Sequence, residues 1–166
     1  LVDCVVSDQT VVQQIRIHCR PVDSRLRRVK LRWPQARTGV WTWRLERSSG
    51  LLSRSLNPVE EIDATTQNLI TLLQWSEGLD EPFTIVGDLN QRWTGQWSPQ
   101  VPLIDGATRI SGALTVSTDS RGLLELNRSR LDSLPFFAAK VNASNRLLGV
   151  FVLTTVLTQR SVGSDQ

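Results

Sequence analysis

The most reactive side chains in this sequence are its only two cysteines, Cys4 and Cys19, and its only histidine, His18. In an oxidising compartment Cys4 and Cys19 would close a loop of fifteen residues, a bond worth roughly 3 kcal/mol in the chain-entropy treatment. In a reducing compartment they would be buried thiols. Two cysteines and one histidine do not complete a structural zinc site, so neither metal nor cofactor is expected. Cys19 adjoins His18, and neighbours in a strand point to opposite faces, which keeps that pair from acting together. No GxSxG-type elbow supplies a nucleophile. The chain is therefore read as having no catalytic residues.

Carboxylates supply the next candidates. Glu60, Glu61 and Asp63 cluster where a helix is expected to begin, and favourable charge at a helix start accounts for them without glycoside chemistry. The string IVGDLN, residues 85–90, resembles the strand-end GDxN segment of metal-dependent endonuclease/exonuclease/phosphatase enzymes. That resemblance implies Asp88 and Asn90 beside a divalent cation and a phosphate. The family also carries an early metal-binding glutamate and a late SDH-like segment, and neither occurs here. The expectation is instead a strand running into a Gly-Asp turn. An enzyme of unfamiliar type would have to work through Asp88 or Asp105. Neither GxxxxGK[ST] nor GxGxxG is present to cradle a phosphate. Sequons at Asn127 and Asn142 matter only in a secreted eukaryotic protein.

Arginine is the strongest functional signal, with 17 Arg against 2 Lys. Arg16, Arg28, Lys30, Arg32 and Arg44 are expected to line the outer face of adjacent strands, a surface suited to anions. Single-strand binders interleave such cations with exposed aromatics. Here Trp33, Trp41 and Trp43 fall on the apolar side instead. Trp93 and Trp97 flank a polar turn and are expected at a protein interface. The net charge of +3 conceals a balance of +7 over residues 1–54, −7 over 55–105 and +3 over 106–166. The simplest expectation is that the acidic middle lies against the basic first third.

The elements that must position these groups follow from periodicity. Residues 10–19, 25–33 and 40–46 alternate as half-buried strands, and the last two share matching faces as an expected hairpin turning at Gly39. Asn57, Pro58, Glu60 and Glu61 resemble a capped helix start, and Val59, Ile62, Leu69, Leu72 and Leu73 recur at helical spacing before Gly78. A helix over residues 58–77 is expected. Residues 82–89, 92–97, 109–116 and 123–127 read as strands. Residues 128–134 read as a short helical or irregular stretch, and 136–157 as a closing hairpin with Ser144 and Asn145 near its tip. Its second arm, 147–157, is apolar on both faces and is expected at the sheet centre.

Together these give an α+β fold, mainly antiparallel sheet of about eight or nine strands, with the one long helix packed on a sheet face. Residues 1–160 are expected as a single globular domain and 161–166 as a flexible tail. The expected function is a non-enzymatic interaction or assembly domain, partnered by another protein or by a second copy. Its contact residues would be Arg16, Arg28, Lys30, Arg32, Arg44, Trp93 and Trp97. The alternative is a nucleic-acid-binding domain using the same Arg-rich face. A chain beginning without Met suggests a processed or trimmed product, with a signal or anchor ahead of Leu1. With a Cys4–Cys19 disulfide, that gives an extracytoplasmic expectation, periplasmic, luminal or secreted. Membrane contact would come only through a segment preceding residue 1.

Overall fold

Period-two alternation runs through most of the chain, and β-branched and aromatic residues at the alternating positions suit a pleated, half-buried surface. The computed structural model describes residues 1–7, 9–22, 25–33, 37–47, 53–92, 97–107, 110–118 and 146–155. Eleven strands and no helix occur among them: β1 (Val2–Val6), β2 (Thr10–Cys19), β3 (Leu26–Trp33), β4 (Trp41–Arg47), β5 (Ser53–Leu56), β6 (Val59–Ile62), β7 (Leu69–Leu79), β8 (Phe83–Arg92), β9 (Leu103–Ile104), β10 (Ile110–Thr118) and β11 (Arg146–Thr155). One sheet has the order β11-β10-β1-β2-β8-β4-β5 and the other β6-β7-β3-β9. Only β1 and β10 pair in parallel.

The two sheets face each other across one apolar core. Val11, Ile15 and Ile17 of β2, Trp41, Trp43 and Leu45 of β4, and Phe83, Ile85 and Leu89 of β8 meet Val29, Leu31 and Trp33 of β3 and Leu73 and Trp75 of β7. Trp33 lies 5.4 Å from Trp41 and 6.4 Å from Trp43 between ring centroids, and Trp75 meets Phe83 edge-on at 5.3 Å. The arrangement is a β-sandwich.

Two further features lock the core. Gly87 sits opposite Trp43 in the β4–β8 register, and a Cβ there would fall 2.7 Å from Trp43 Cε3. Only glycine leaves room for the indole to lie across the strand. Gln13 is fully buried, and its amide mimics a missing strand. Nε2 donates to the Gln100 carbonyl at 2.5 Å, and Oε1 accepts from the Gln100 N–H at 3.0 Å. The Gln100 side chain in turn binds Thr38, donating to its carbonyl at 3.2 Å.

Several expectations are corrected. The α+β class fails because the segment read as a helix over 58–77 is β6, a turn and β7. Its apolar positions fit one helical stripe, but residues 63–68 carry no large apolar side chain, and the chain reverses in that gap. Asp63 decides between them. Its Oδ1 accepts from the N–H groups of Thr65 at 2.8 Å and Thr66 at 3.0 Å, and Gln67 takes a φ of 58° to complete the reversal. Those bonds hold the Asp63 carboxyl below its ordinary range.

The β3–β4 hairpin is absent as well. β3 pairs with β7 and β9, and β4 with β5 and β8, so the chain crosses between sheets after Trp33. The two apolar faces match because they press on each other. The Gly-Asp turn is also absent, since β8 runs straight through Gly87 and Asp88. Among the described strands β11 lies at an edge, not the centre.

Cys4 and Cys19 are free thiols, and no disulfide forms. The β1–β2 hairpin sets Cys4 opposite Gln13, six residues along the strand from Cys19, or roughly 20 Å at strand rise. A disulfide requires the Cα atoms within about 7 Å. Trp93, residues 123–127, 128–134 and 161–166, the hairpin tip at Ser144 and Asn145, and both sequons lie outside the described residues.

Candidate interaction surfaces

Strand alternation sends Arg16 of β2 and Arg44 of β4 to the outer face of the seven-stranded sheet. It sends Arg28, Lys30 and Arg32 of β3 to the outer face of the four-stranded sheet. The five cations expected on one surface therefore stand on opposite sides of the sandwich, because β3 left its expected partner.

On the first face β8 lies between β2 and β4 and carries Asp88. Asp88 accepts from Gln14 Nε2 at 2.7 Å and from Arg44. Arg16 donates to Gln14 at 2.9 Å and to Glu46 at 3.2 Å, and Arg44 reaches Glu46 at 3.0 Å. Gln14, Asp88, Arg44, Glu46 and Arg16 thus form a closed ring with two positive and two negative charges. Partial desolvation opposes the Arg44 charge, but the hydrogen bonds to Glu46 and Asp88 outweigh it and hold the guanidinium more firmly protonated than usual. His18 stands nearby, its Nδ1 2.9 Å from Thr84 Oγ1. Asp88, the residue that the GDxN resemblance pointed to, is occupied with Arg44 and Gln14. Among the described residues no group of three or more His, Cys, Asp or Glu could hold a metal.

The second face is paired in the same manner. Asp105 takes Arg32 at 2.9 Å and Lys30 at 3.7 Å, and Lys30 also reaches Glu61 at 3.9 Å. These long side chains roof over Ile70, which is only 2% exposed although it sits on the outer side of its strand. Arg28 is exposed and has no ion pair among the described residues. Of the nine ion pairs among the described residues, seven join a cation of residues 1–54 to an acid of residues 55–105. The expected complementarity of the two charge blocks is what the fold uses.

At one end of the sandwich a bulge in β7 sets Leu26 opposite Leu79 but Arg28 opposite Gln74. An open hollow of about 460 Å³ results, lined by Arg25, Arg27, Arg47, Glu77, Gly78 and Asp80 among others. Two of its cations are paired, Arg25 with Asp80 at 3.1 Å and Arg47 with Glu77 at 2.5 Å. Trp97 is half-buried and packs against the core. It does not stand clear of the surface as an exposed loop aromatic would.

The surface that sequence reasoning missed is the edge strand β6. All four of its residues are exposed, with Val59 at 48% and Ile62 at 66%. Its signal was present in the sequence as a β-branched pair around two glutamates, but the helical reading absorbed it. Glu60 pairs with Arg37, whose guanidinium lies 5.8 Å above the Trp33 ring, a cation–π contact.

Among the described residues, fold and surface define a two-sheet β-sandwich whose broad faces are largely ion-paired and whose edge strand β6 exposes Val59 and Ile62. No family model, no curated protein and no solved structure matches the chain significantly.

Proposed function

We propose that this chain is a non-catalytic interaction domain that assembles with another protein through the side of the sandwich bearing β5 and β6. The observation that carries this reading is β6, where Val59 and Ile62 are exposed on a strand with no neighbour on one side among the described residues. An open edge of that kind is a template for pairing with another chain. Both broad faces, by contrast, have spent most of their charge on internal pairs.

The nucleic-acid alternative has less support. Four of its five cations, Arg16, Lys30, Arg32 and Arg44, already hold carboxylates. Trp33, Trp41 and Trp43 are buried and cannot stack on bases. The extracytoplasmic reading loses its redox support, because Cys4 and Cys19 are held apart in the sheet.

Crosslinking in the native source tests the proposal. A photoreactive amino acid replacing Ile62 should give a discrete protein adduct, and one replacing Thr42, exposed on a broad face, should not. If neither position yields an adduct and the protein migrates alone in gentle extracts, the interaction-domain reading fails.

A further inference from the structure

The hydrogen-bond pattern of the β6–β7 hairpin specifies what the open edge offers. The Asp63 N–H donates to the Asn68 carbonyl at 2.9 Å, which makes residues 63 and 68 a bonded pair that continues the register of Ile62 with Leu69. Bonded and non-bonded pairs alternate along an antiparallel ladder. Glu61 with Ile70 and Val59 with Leu72 are therefore bonded pairs. The N–H and C=O groups of Glu60 and Ile62 must point away from β7, toward the open side. Two donors and two acceptors stand there, and no described residue takes them.

The side chains on this edge select the visitor. A second copy pairing antiparallel through the groups of Glu60 and Ile62 has three close registers. They set Glu60 against Glu60, Glu61 against Glu61, or Glu61 against Asp63 of the other copy. Like charges directly opposite one another are destabilising, so each self-pairing carries a penalty. The cations already near these carboxylates satisfy them only in part. Lys30 is shared between Glu61 at 3.9 Å and Asp105 at 3.7 Å, and the Glu61 side chain remains 55% exposed. A strand bringing its own Lys or Arg opposite Glu61 gains an ion pair. One bringing an apolar residue opposite Ile62 covers the most exposed large side chain of β6.

We infer that β6 is a strand-addition site for an extended segment of a different protein, one that alternates basic with apolar residues. The inference rests on the interaction-domain reading above and names its partner class. Main-chain bonds to Glu60 and Ile62 supply affinity, and Glu61 on one face with the exposed Ile62 on the other supplies selectivity.

The test uses the full chain and fluorescent peptides of one length, alternating valine with lysine or valine with glutamate. The lysine peptide should bind and the glutamate peptide should not. Ile62→Pro removes one outward N–H without touching a bond to β7, so the fold survives and binding should weaken about fivefold or more. Glu61→Lys should reverse the preference toward the glutamate peptide. Equal binding of both peptides, no binding of the lysine peptide, or indifference to Ile62→Pro would overturn the assignment. So would a dimer of this chain that Ile62→Pro dissociates. If the chain carrying Ile62→Pro still migrates with its native partner in gentle extracts, the interaction domain stands and the β6 assignment falls.

Discussion

Gly87 is the residue on which the indole packing turns. Opposite it, Trp43 lies flat across the strand within a cluster of three indoles, stacked on Trp41 at 5.5 Å. A methyl group at position 87 has no space, because the atoms it meets belong to a rigid ring walled in by the core. We expect Gly87→Ala to cost about 1–3 kcal/mol by overpacking, a fall in melting temperature of roughly 3–10 °C, measurable by calorimetry. An unchanged melting temperature would mean that Trp43 can move aside.

Cys19 carries a second consequence at this scale. Burial pushes its thiol from the ordinary 9.0 up to about 11, and burial raises Cys4 further still. The unfolded thiols ionise first, so the stability they contribute is complete below pH 9 and falls as pH rises from about 9 toward about 11. Urea midpoints should decline over that window, and Cys19→Ala should flatten the decline. Identical slopes for both proteins would remove Cys19 as the cause. At neutral pH neither buried thiol should react readily with iodoacetamide in the native state.

At the scale of elements, the β6–β7 hairpin depends on one carboxylate. Asp63 accepts two backbone N–H groups of its own turn, and this turn separates β6 from β7 where a helix would otherwise continue. Asp63→Ala should lower thermal stability, and Asp63→Asn, which keeps an acceptor oxygen, should lower it less. Because folding depresses the Asp63 pKa, its contribution is present above the ordinary 3.8 and is lost as pH falls through the lowered folded value. Equal behaviour of the alanine and asparagine variants at pH 7 would show that the turn does not need that acceptor.

The strands β2, β3, β4 and β10 were legible in the sequence because polar and apolar residues alternate over much of each, and β8 because it is a short apolar run. β6 and β7 were not, because the spacing of Val59, Ile62, Leu69, Leu72 and Leu73 fits a helical stripe better than period two, with Val59 and Ile62 on opposite faces of β6 and Leu69 and Leu72 on opposite faces of β7. Short strands such as β5 and β9 left no periodic trace at all. Of the candidate surface, the cations were legible, while their separation onto two faces was not, because that depends on which strand pairs with which.

For the whole molecule, the decisive quantity is how the +3 charge is arranged. A pI near 9.5 suggests affinity for polyanions. Of the five cations placed on the two faces, the ion pairs leave Arg28 alone without a bridge among the described residues, although each exposed bridge contributes under about 1 kcal/mol to stability. On a heparin column, the part of the log K against log salt slope that is lost when Arg16, Arg28, Lys30, Arg32 and Arg44 are replaced by glutamine should therefore be no steeper than about one or two phosphate contacts require. A slope equivalent to five or more contacts would restore the nucleic-acid reading.

The sequence by itself determined which residues face inward on β3, β4 and the second half of β2, that charge would be self-complementary, and that Trp33, Trp41 and Trp43 belong to the core. These are local properties, set by side-chain alternation and by the cost of burying charge. Only the tertiary structure decided the pairing of strands. It moved β3 away from β4, held Cys4 and Cys19 roughly 20 Å apart along the sheet, divided the arginines between two faces and left β6 at an edge. Pairing depends on contacts between residues distant in sequence, and an alternating pattern states which face a strand buries without stating against what.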